Sequence, residues 1–160
     1  MSTLRHDQGH GQNSERAVLP PAGVRWDEVT VGDELPPLVF AVSRSTLAKD
    51  VVGTRDLYPI HHDHEFAQAN GVRDIFLNTM WYQGLIGRYA NEWGGHESFV
   101  RRLRVQMNAH SHPGATLTVR GSVLGKSRDE AGRALVELDV RIANGDRADA
   151  VVSRLMLELY

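Results

Sequence analysis

The sequence has no cysteine, no long apolar run and no large excess of charge of either sign. Without cysteine the chain has no disulfide bond, no thiolate nucleophile and no cysteine-ligated zinc. No apolar run approaches the roughly 18 residues needed to cross a membrane, and the first residues lack the apolar stretch of a signal peptide. The net charge of -2 gives no electrostatic reason to expect binding to nucleic acid or an anionic membrane. We therefore expect a soluble cytoplasmic protein with neither kind of partner.

The length of 160 residues suits one domain with a sizeable core. Hydrophobic residues at 41% and charged residues at 24% are usual for a globular protein, so such a core is expected. Residues 1–24 differ from the rest, because they are polar and include Pro20-Pro21 near their end. They cannot bury enough apolar surface to offset the entropy of ordering. The sequence thus predicts a disordered polar tail over 1–24 and a folded domain over 25–160.

Two short helices are predicted on either side of one loop. Ser43 or Ser45 can cap the first, for which Gly53 suits the C-terminal end. Asp63 can cap the second, over 64–70, and a glycine follows it. The loop between the two helices contains an acid, a proline and a histidine.

A third and longer helix is predicted from Ile75 to about Trp93. Its apolar residues occur nearly all the way round, which is typical of a helix enclosed on most sides. Gly84 and Gly87 lower helix propensity, so close packing against another backbone is expected at these positions.

After this helix the apolar period changes from helical to two. Four such runs, joined by turn-rich connections, predict an antiparallel meander with one apolar face. The long helix is the element that this face would cover, which gives an α+β fold: a single hotdog domain, with an antiparallel sheet wrapped around a long central helix. The apolar members of the four runs are Phe99, Leu103, Val105 and Met107; Leu117, Val119 and Val123; Val136, Leu138, Val140 and Ile142; and Leu155, Leu157 and Leu159.

The loop is the candidate site. Asp56 and His61 are five residues apart, a spacing that a regular helix would not hold on one face. An irregular loop closed by Pro59 can turn both side chains towards one point. Such a pair can take a proton from water and return it, and histidine changes charge near neutral pH.

The chain resembles the MaoC-like dehydratases, a hotdog family that includes R-specific enoyl-CoA hydratases. The resemblance runs from about Trp26 to the C-terminus and rests mainly on the Asp-x-x-Pro-x-His motif that begins at Asp56, with a further aspartate two residues after its histidine. The remaining shared features are Gly32-Asp33, Ala67, Gly71, and Pro113-Gly114 before a Thr-Leu-Thr strand.

A tighter similarity is to the small MaoC-like subunit of actinobacterial steroid side-chain enoyl-CoA hydratases. The shared residues are Thr54-Arg55-Asp56, His61-His62-Asp63, Asp74-Ile75-Phe76 with Asn78, Gly84-Leu85 and Arg88-Tyr89. The resemblance implies a lyase in lipid, steroid or secondary metabolism, with Asp56 and His61 as the catalytic pair. It implies a homodimer or a heteromer with a related hotdog subunit. It implies no cofactor, since coenzyme A would belong to the substrate.

Two departures from the family pattern lie close to the site. Tyr58 stands where the family usually has asparagine, and Asn78-Thr79-Met80 replaces the usual His-Gly-Met at the start of the central helix. In the family a backbone N–H there binds the thioester oxygen. Tyr58, Asn78, Thr79 and Met80 are therefore predicted to bind substrate.

Other functions compete with hydration. A hotdog thioesterase would use a carboxylate on the central helix, where the sequence offers only Glu92. A non-catalytic acyl-binding partner subunit would result if Tyr58 and Thr79 blocked the site. A metal site among residues 61–65 is not favoured, because adjacent residues rarely converge on one ion. His110 and His112, beside a turn, are expected to be exposed.

Overall fold

The computed structural model describes residues 23–160; residues 1–22, most of the predicted tail, lie outside this range. Val24 already donates its backbone N–H to the carbonyl of Trp93 at 3.2 Å, so the packed chain includes this residue. Within the described range, no helix combines the length and the apolar character needed to span a membrane.

One strand comes first, then three helices, then four strands. A single 3-10 turn over Pro59–His61 separates the first two helices. The elements are β1 (Glu34–Ala41), α1 (Arg44–Thr54), α2 (His64–Ala69), α3 (Thr79–Gly94), β2 (Phe99–Met107), β3 (Thr116–Arg128), β4 (Ala134–Ala143) and β5 (Val151–Leu159).

Side-chain caps start both short helices, as predicted. The Ser43 hydroxyl accepts the N–H of Thr46, whose hydroxyl accepts the N–H of Ser43, and both distances are 3.1 Å. Asp63 accepts the N–H of Phe66 at 3.0 Å. The predicted end of α1 at Gly53 is wrong: the helix runs to Thr54, and Arg55 takes the left-handed conformation with a φ of 57°.

The predicted start of the long helix at Ile75 is also wrong. Residues 75–77 are buried but precede the helix, which begins at Thr79 after Asn78 caps it. The Asn78 side chain accepts the N–H of Trp81 at 2.8 Å, and this local bond fixes the first turn. The apolar residues that extended the helical pattern towards its start therefore belong to a buried connecting segment.

The sheet has the order β1-β3-β4-β5-β2, and all its pairs are antiparallel. The predicted meander holds for β3, β4 and β5 but is wrong for β2, which pairs with β5. The long connection before β3 explains this, because Asn108 and Ala109 both donate to the carbonyl of Ala150 and keep the end of β2 beside β5.

The inner face of the sheet covers α3, which confirms the predicted α+β hotdog fold. Gly121 brings β3 close to the Tyr89 ring, and Gly94 brings the end of α3 against Leu157 of β5. A register shift between Val100 and Arg102 accounts for the break in the alternating pattern of β2 at Arg101. The Arg101 guanidinium forms an ion pair with the carboxylate of Glu158.

Candidate active site

The loop after α1 brings Asp56 and His61 together. Asp56 Oδ2 lies 3.4 Å from His61 Nε2, and the two side chains are 25% and 9% exposed. This distance is longer than the roughly 2.7–2.9 Å of a strong charge-assisted hydrogen bond. The two groups therefore converge on one point while each keeps capacity for a further polar partner.

Local backbone geometry produces the convergence. The left-handed Arg55 turns the chain out of α1, and Pro59 begins the 3-10 turn that ends at His61. Asp63 then donates its N–H to the carbonyl of Pro59 at 2.7 Å, which closes the loop before α2. The left-handed residue, the 3-10 turn and this hydrogen bond together hold Asp56 and His61 in place without a regular helix.

A backbone carbonyl selects the tautomer of His61. Nδ1 of the ring lies 2.8 Å from the carbonyl oxygen of Phe76. Because a carbonyl can only accept, Nδ1 carries a hydrogen, and Nε2 is left to exchange a proton on the side facing Asp56.

The connecting segment 74–78 is held by residues from other parts of the chain. His112 Nδ1 lies 3.0 Å from the carbonyls of Asp74 and Ile75, and Leu77 donates its N–H to the carbonyl of Ser111 at 3.2 Å. The segment therefore delivers the Phe76 carbonyl and the start of α3 to fixed positions beside His61.

The first turn of α3 presents backbone donors at this place. The N–H groups of Thr79 and Met80 have no acceptor within residues 23–160, and both residues are exposed. A helix start favours negative charge, so these groups can stabilise an oxygen on which charge develops.

Two residues of α1 that sequence reasoning missed tie the loop to α3. Asp50 Oδ2 accepts the N–H of Asn78 at 3.0 Å, and Thr54 Oγ1 accepts from the Asn78 side-chain amide at 2.8 Å. Burial raises the pKa of Asp50, although the Asn78 hydrogen bond and the nearby His61 act in the opposite direction. The available signal was position, because Asp50 lies on the same helix face as Leu47 and Val51.

The chain is similar in sequence and in fold to known proteins. No protein-family model matches the sequence. The chain is 29% identical over 126 residues to the 3-oxo-4,17-pregnadiene-20-carboxyl-CoA hydratase beta subunit of Mycobacterium tuberculosis, covering 79% of this chain and 95% of the relative. It is 27% identical to a chain of the ChsH1-ChsH2 complex from the same organism, with a TM-score of 0.75 and coverage of 82% and 98%.

The MaoC-like dehydratase from Rhodospirillum rubrum shares the fold at 19% identity, with a TM-score of 0.71 and coverage of 86% of this chain and 97% of that one. The chain resembles the MaoC-like hotdog proteins in sequence and in fold. This confirms the resemblance drawn from the loop motif.

In this chain, Tyr58 does not stand between the acid and the histidine. Its ring packs edge to face on Phe66, with centroids 5.6 Å apart, and the residue is 53% exposed. The predicted contact of Tyr58 with substrate, like those of Asn78, Thr79 and Met80, stays a prediction.

Histidines surround the Phe76 ring beside the site. His110 stacks on it with centroids 3.9 Å apart, and His61 meets it edge to face at 4.9 Å. Burial lowers the pKa of His110, and the nearby His112 and His61 lower it further. The expectation that His112 is exposed is wrong, because it is buried under the segment that it holds.

The described residues offer no metal-binding arrangement. Within residues 23–160, no group of three or more histidine, cysteine, aspartate or glutamate side chains could hold an ion. His64 instead contacts Asp74 at 2.7 Å, and His62 is exposed.

Proposed function

We propose that this chain is an acyl-thioester hydratase or dehydratase, which adds or removes water across an α,β-unsaturated acyl-CoA or acyl-carrier thioester. The observation that carries the proposal is the 3.4 Å approach of His61 Nε2 to Asp56 Oδ2 beside open donors at the start of α3. The relative in M. tuberculosis, named as a hydratase beta subunit, supports this reaction class and a role in CoA-linked steroid or lipid metabolism.

In the hydration direction, Asp56 and His61 together hold one water. The pair takes a proton from that water while its oxygen bonds to the β-carbon, and the electron pair of the double bond moves towards the thioester oxygen. The α-carbon then takes a proton, with Asp56 as the shuttle. Dehydration reverses these steps, and acid–base help of this kind contributes about 10²–10⁴-fold.

The negative charge that develops on the thioester oxygen needs donors. The N–H groups of Thr79 and Met80 can supply them, because the Asn78 cap leaves both groups without an acceptor in the described chain. Loss of one such donor costs about 3–4 kcal/mol of transition-state stabilisation.

A thioesterase fits the geometry less well. The carboxylate that it would need is Glu92, which accepts from Arg88 Nε at 2.7 Å. Glu92 is the fourteenth residue of α3, so it lies about 20 Å along the axis from Thr79 at 1.5 Å per residue. The Asp56 and His61 pair would then have no part in the reaction.

The acyl-binding alternative required Tyr58 and Thr79 to block the site. Tyr58 turns towards Phe66, and Thr79 is exposed at the helix start. Neither position favours a blocked site, so we prefer a catalytic role.

We also propose that the chain assembles with a related hotdog subunit through β2. The two sheet edges are β1 and β2, and β1 is interrupted by Pro36-Pro37 and a register shift. The nine residues of β2 contain no proline, so its outer edge can pair. The similarity to the β subunit and to a chain of a two-protein complex supports such a partner.

Charge on β2 favours an unlike partner over a second copy. Arg104 is directly opposite Arg154 of β5, and neither Arg102 nor Arg104 has an ion-pair partner within residues 23–160. Antiparallel self-pairing centred on Leu103 would set Arg102 opposite Arg104, and like charges so placed are destabilising. An acidic partner strand would relieve this repulsion.

The deciding experiment follows the loss of the conjugated thioester absorbance in a panel of short-chain and steroid-derived enoyl-CoA substrates. The chain is assayed alone and with its co-purifying partner. Asp56→Asn should reduce kcat by about 10²–10⁴-fold with an unchanged Tm. Asp129→Asn is the control, because this carboxylate lies in the β3–β4 turn and contacts Arg133. Near-full activity of Asp56→Asn would overturn the assignment.

A further inference from the structure

The carboxylate of Asp50 is buried in the interior of the domain. The residue is 2% exposed, and it faces inwards from α1 with Leu47 and Val51. Buried carboxylates are costly unless they receive hydrogen bonds, so its contacts require an explanation. Loop motifs do not reveal this residue.

Its contacts all belong to the proposed site. Oδ2 accepts the N–H of Asn78 at 3.0 Å, and Oδ1 lies 3.5 Å from the hydroxyl of Thr54. That hydroxyl donates to the Asp50 carbonyl at 2.7 Å and accepts the Asn78 amide at 2.8 Å. It also accepts the N–H of Asp56 at 3.4 Å, so α1 holds both the loop and the start of α3.

Three other titratable groups, two in the loop and one on α3, act on the same carboxylate. His61 favours its ionised form, Asp56 opposes it, and Tyr82 of α3 is close enough for its own pKa to be raised by Asp50 as well as by burial.

We propose that Asp50 is a positioning residue for the hydration that we propose above. It holds the Asn78 N–H so that the first donors of α3 face the thioester oxygen. The inference rests on the proposed function, but its geometric part can be measured without activity.

The role makes an unusual prediction about stability. A carboxylate whose folded pKa lies above its unfolded value favours the folded state only while it is protonated. This contribution is fully present below the ordinary pKa of 3.8 and is lost as pH rises through the raised folded value. Asp50→Asn should therefore be as stable as the wild type or more stable at neutral pH, because it removes a buried charge and keeps an acceptor.

The test compares Asp50→Asn and Asp50→Ala in the oligomer in which the wild type is active. We expect Asp50→Ala to lower kcat by about 100-fold, the loss typical of a misplaced group, with KM changed less than about threefold. Asp50→Asn should lose about tenfold, keeping the acceptor without the charge, while its Tm is equal or higher. Asp129→Asn serves as the control, as its carboxylate also accepts two backbone N–H groups, in the β3–β4 turn.

A readout independent of turnover separates this proposal from the proposed function. In the wild type the amide resonance of Asn78 should shift as Asp50 titrates, and the shift should vanish in Asp50→Asn. If the Asn78 resonance shifts with pH but the chain hydrates no substrate, the proposed function is overturned and the geometric part of the inference remains. The positioning role is overturned if kcat is unchanged in both variants. It is also overturned if the loss of kcat in each variant equals the fraction of that variant that is unfolded.

Discussion

Thr54 Oγ1 lies 2.8 Å from Nδ2 of Asn78, so the last residue of α1 binds the cap of the central helix. The same hydroxyl meets the N–H of Asp56 at 3.4 Å. One side chain thus fixes the distance between the proposed acid and the proposed oxyanion donors.

Thr54→Val should disturb both groups. The isostere leaves the Asn78 amide without its acceptor, which costs about 1–3 kcal/mol of the free energy of unfolding. We expect kcat for enoyl-thioester hydration to fall about tenfold or more, because misplaced donors stabilise the transition state less. Thr54→Ser keeps the hydroxyl and should keep most of the activity; equal kcat values in the two variants would contradict the role.

His61→Asn separates the two nitrogens of the ring. The asparagine amide can still donate to the Phe76 carbonyl, as His61 Nδ1 does at 2.8 Å, but no group replaces Nε2. We expect kcat to fall by about 10²–10⁴-fold while urea unfolding changes little. His62→Asn is the matched control, because His62 is the exposed neighbour and should leave kcat unchanged.

Much of the fold was predictable from short-range patterns in the sequence. The caps at Ser43 and Asp63 are short-range bonds that depend on two residues three apart, and both were predicted. The alternating strands revealed the sheet because its inner face is apolar. Strand order was not predictable in this way, since β2 reaches β5 through long-range pairing that no local pattern records.

The sequence predicted that Asp56 and His61 come together, but it did not reveal the residues that hold them. The motif pointed to Asp56 and His61, which the structure brings within 3.4 Å. Asp50 carries no motif, and its importance depends on Asn78, 28 residues later. The start of α3 was predicted too early because residues 75–77 are apolar and buried, like residues of a helix, although they form an extended segment.

Asp74 should make stability depend on pH. Burial alone would raise its pKa, but hydrogen bonds from His64 and the Ile75 N–H, with the Arg44 guanidinium, lower it below 3.8. A lowered pKa contributes stability above the unfolded value, and this is lost as pH falls through the folded value.

Urea unfolding of wild type and Asp74→Asn should therefore differ most near neutral pH and converge in acid. Asp146→Asn is the control, because its pair with Arg73 is exposed at 3.8 Å and should contribute little. A difference that stays constant across the range would show that Asp74 acts through packing alone.

Two glycines of α3 should respond to alanine in opposite directions. A Cβ on Gly94 would lie 2.8 Å from Leu157 Cδ2 and from Ser98 Cβ, so Gly94→Ala should destabilise by about 1–3 kcal/mol. Nothing lies within 4 Å of a Cβ on Gly84, contrary to the close packing expected there. Gly84→Ala should raise the stability of the isolated chain by about 1 kcal/mol, measured by urea unfolding. Equal effects would contradict the packing.

The charge on β2 allows a direct test of the proposed assembly. The wild type should form at most a weak dimer through this edge, because Arg102 and Arg104 would face arginines of a second copy. A variant with Arg102→Glu and Arg104→Glu should dimerise just as weakly, because its glutamates would face glutamates. A mixture of the two should form a heterodimer, since each arginine then meets a glutamate, and the complex should weaken as salt is added.

Analytical ultracentrifugation of each chain and of the mixture measures the outcome. The control carries Arg120→Glu and Arg141→Glu, which lie opposite each other on β3 and β4, away from the edge. That variant should not associate with the wild type. A tight wild-type dimer whose affinity does not change with salt would show that another surface joins the chains. Paired β2 edges would place four arginines opposite one another, so the affinity of such a dimer would depend on the salt concentration.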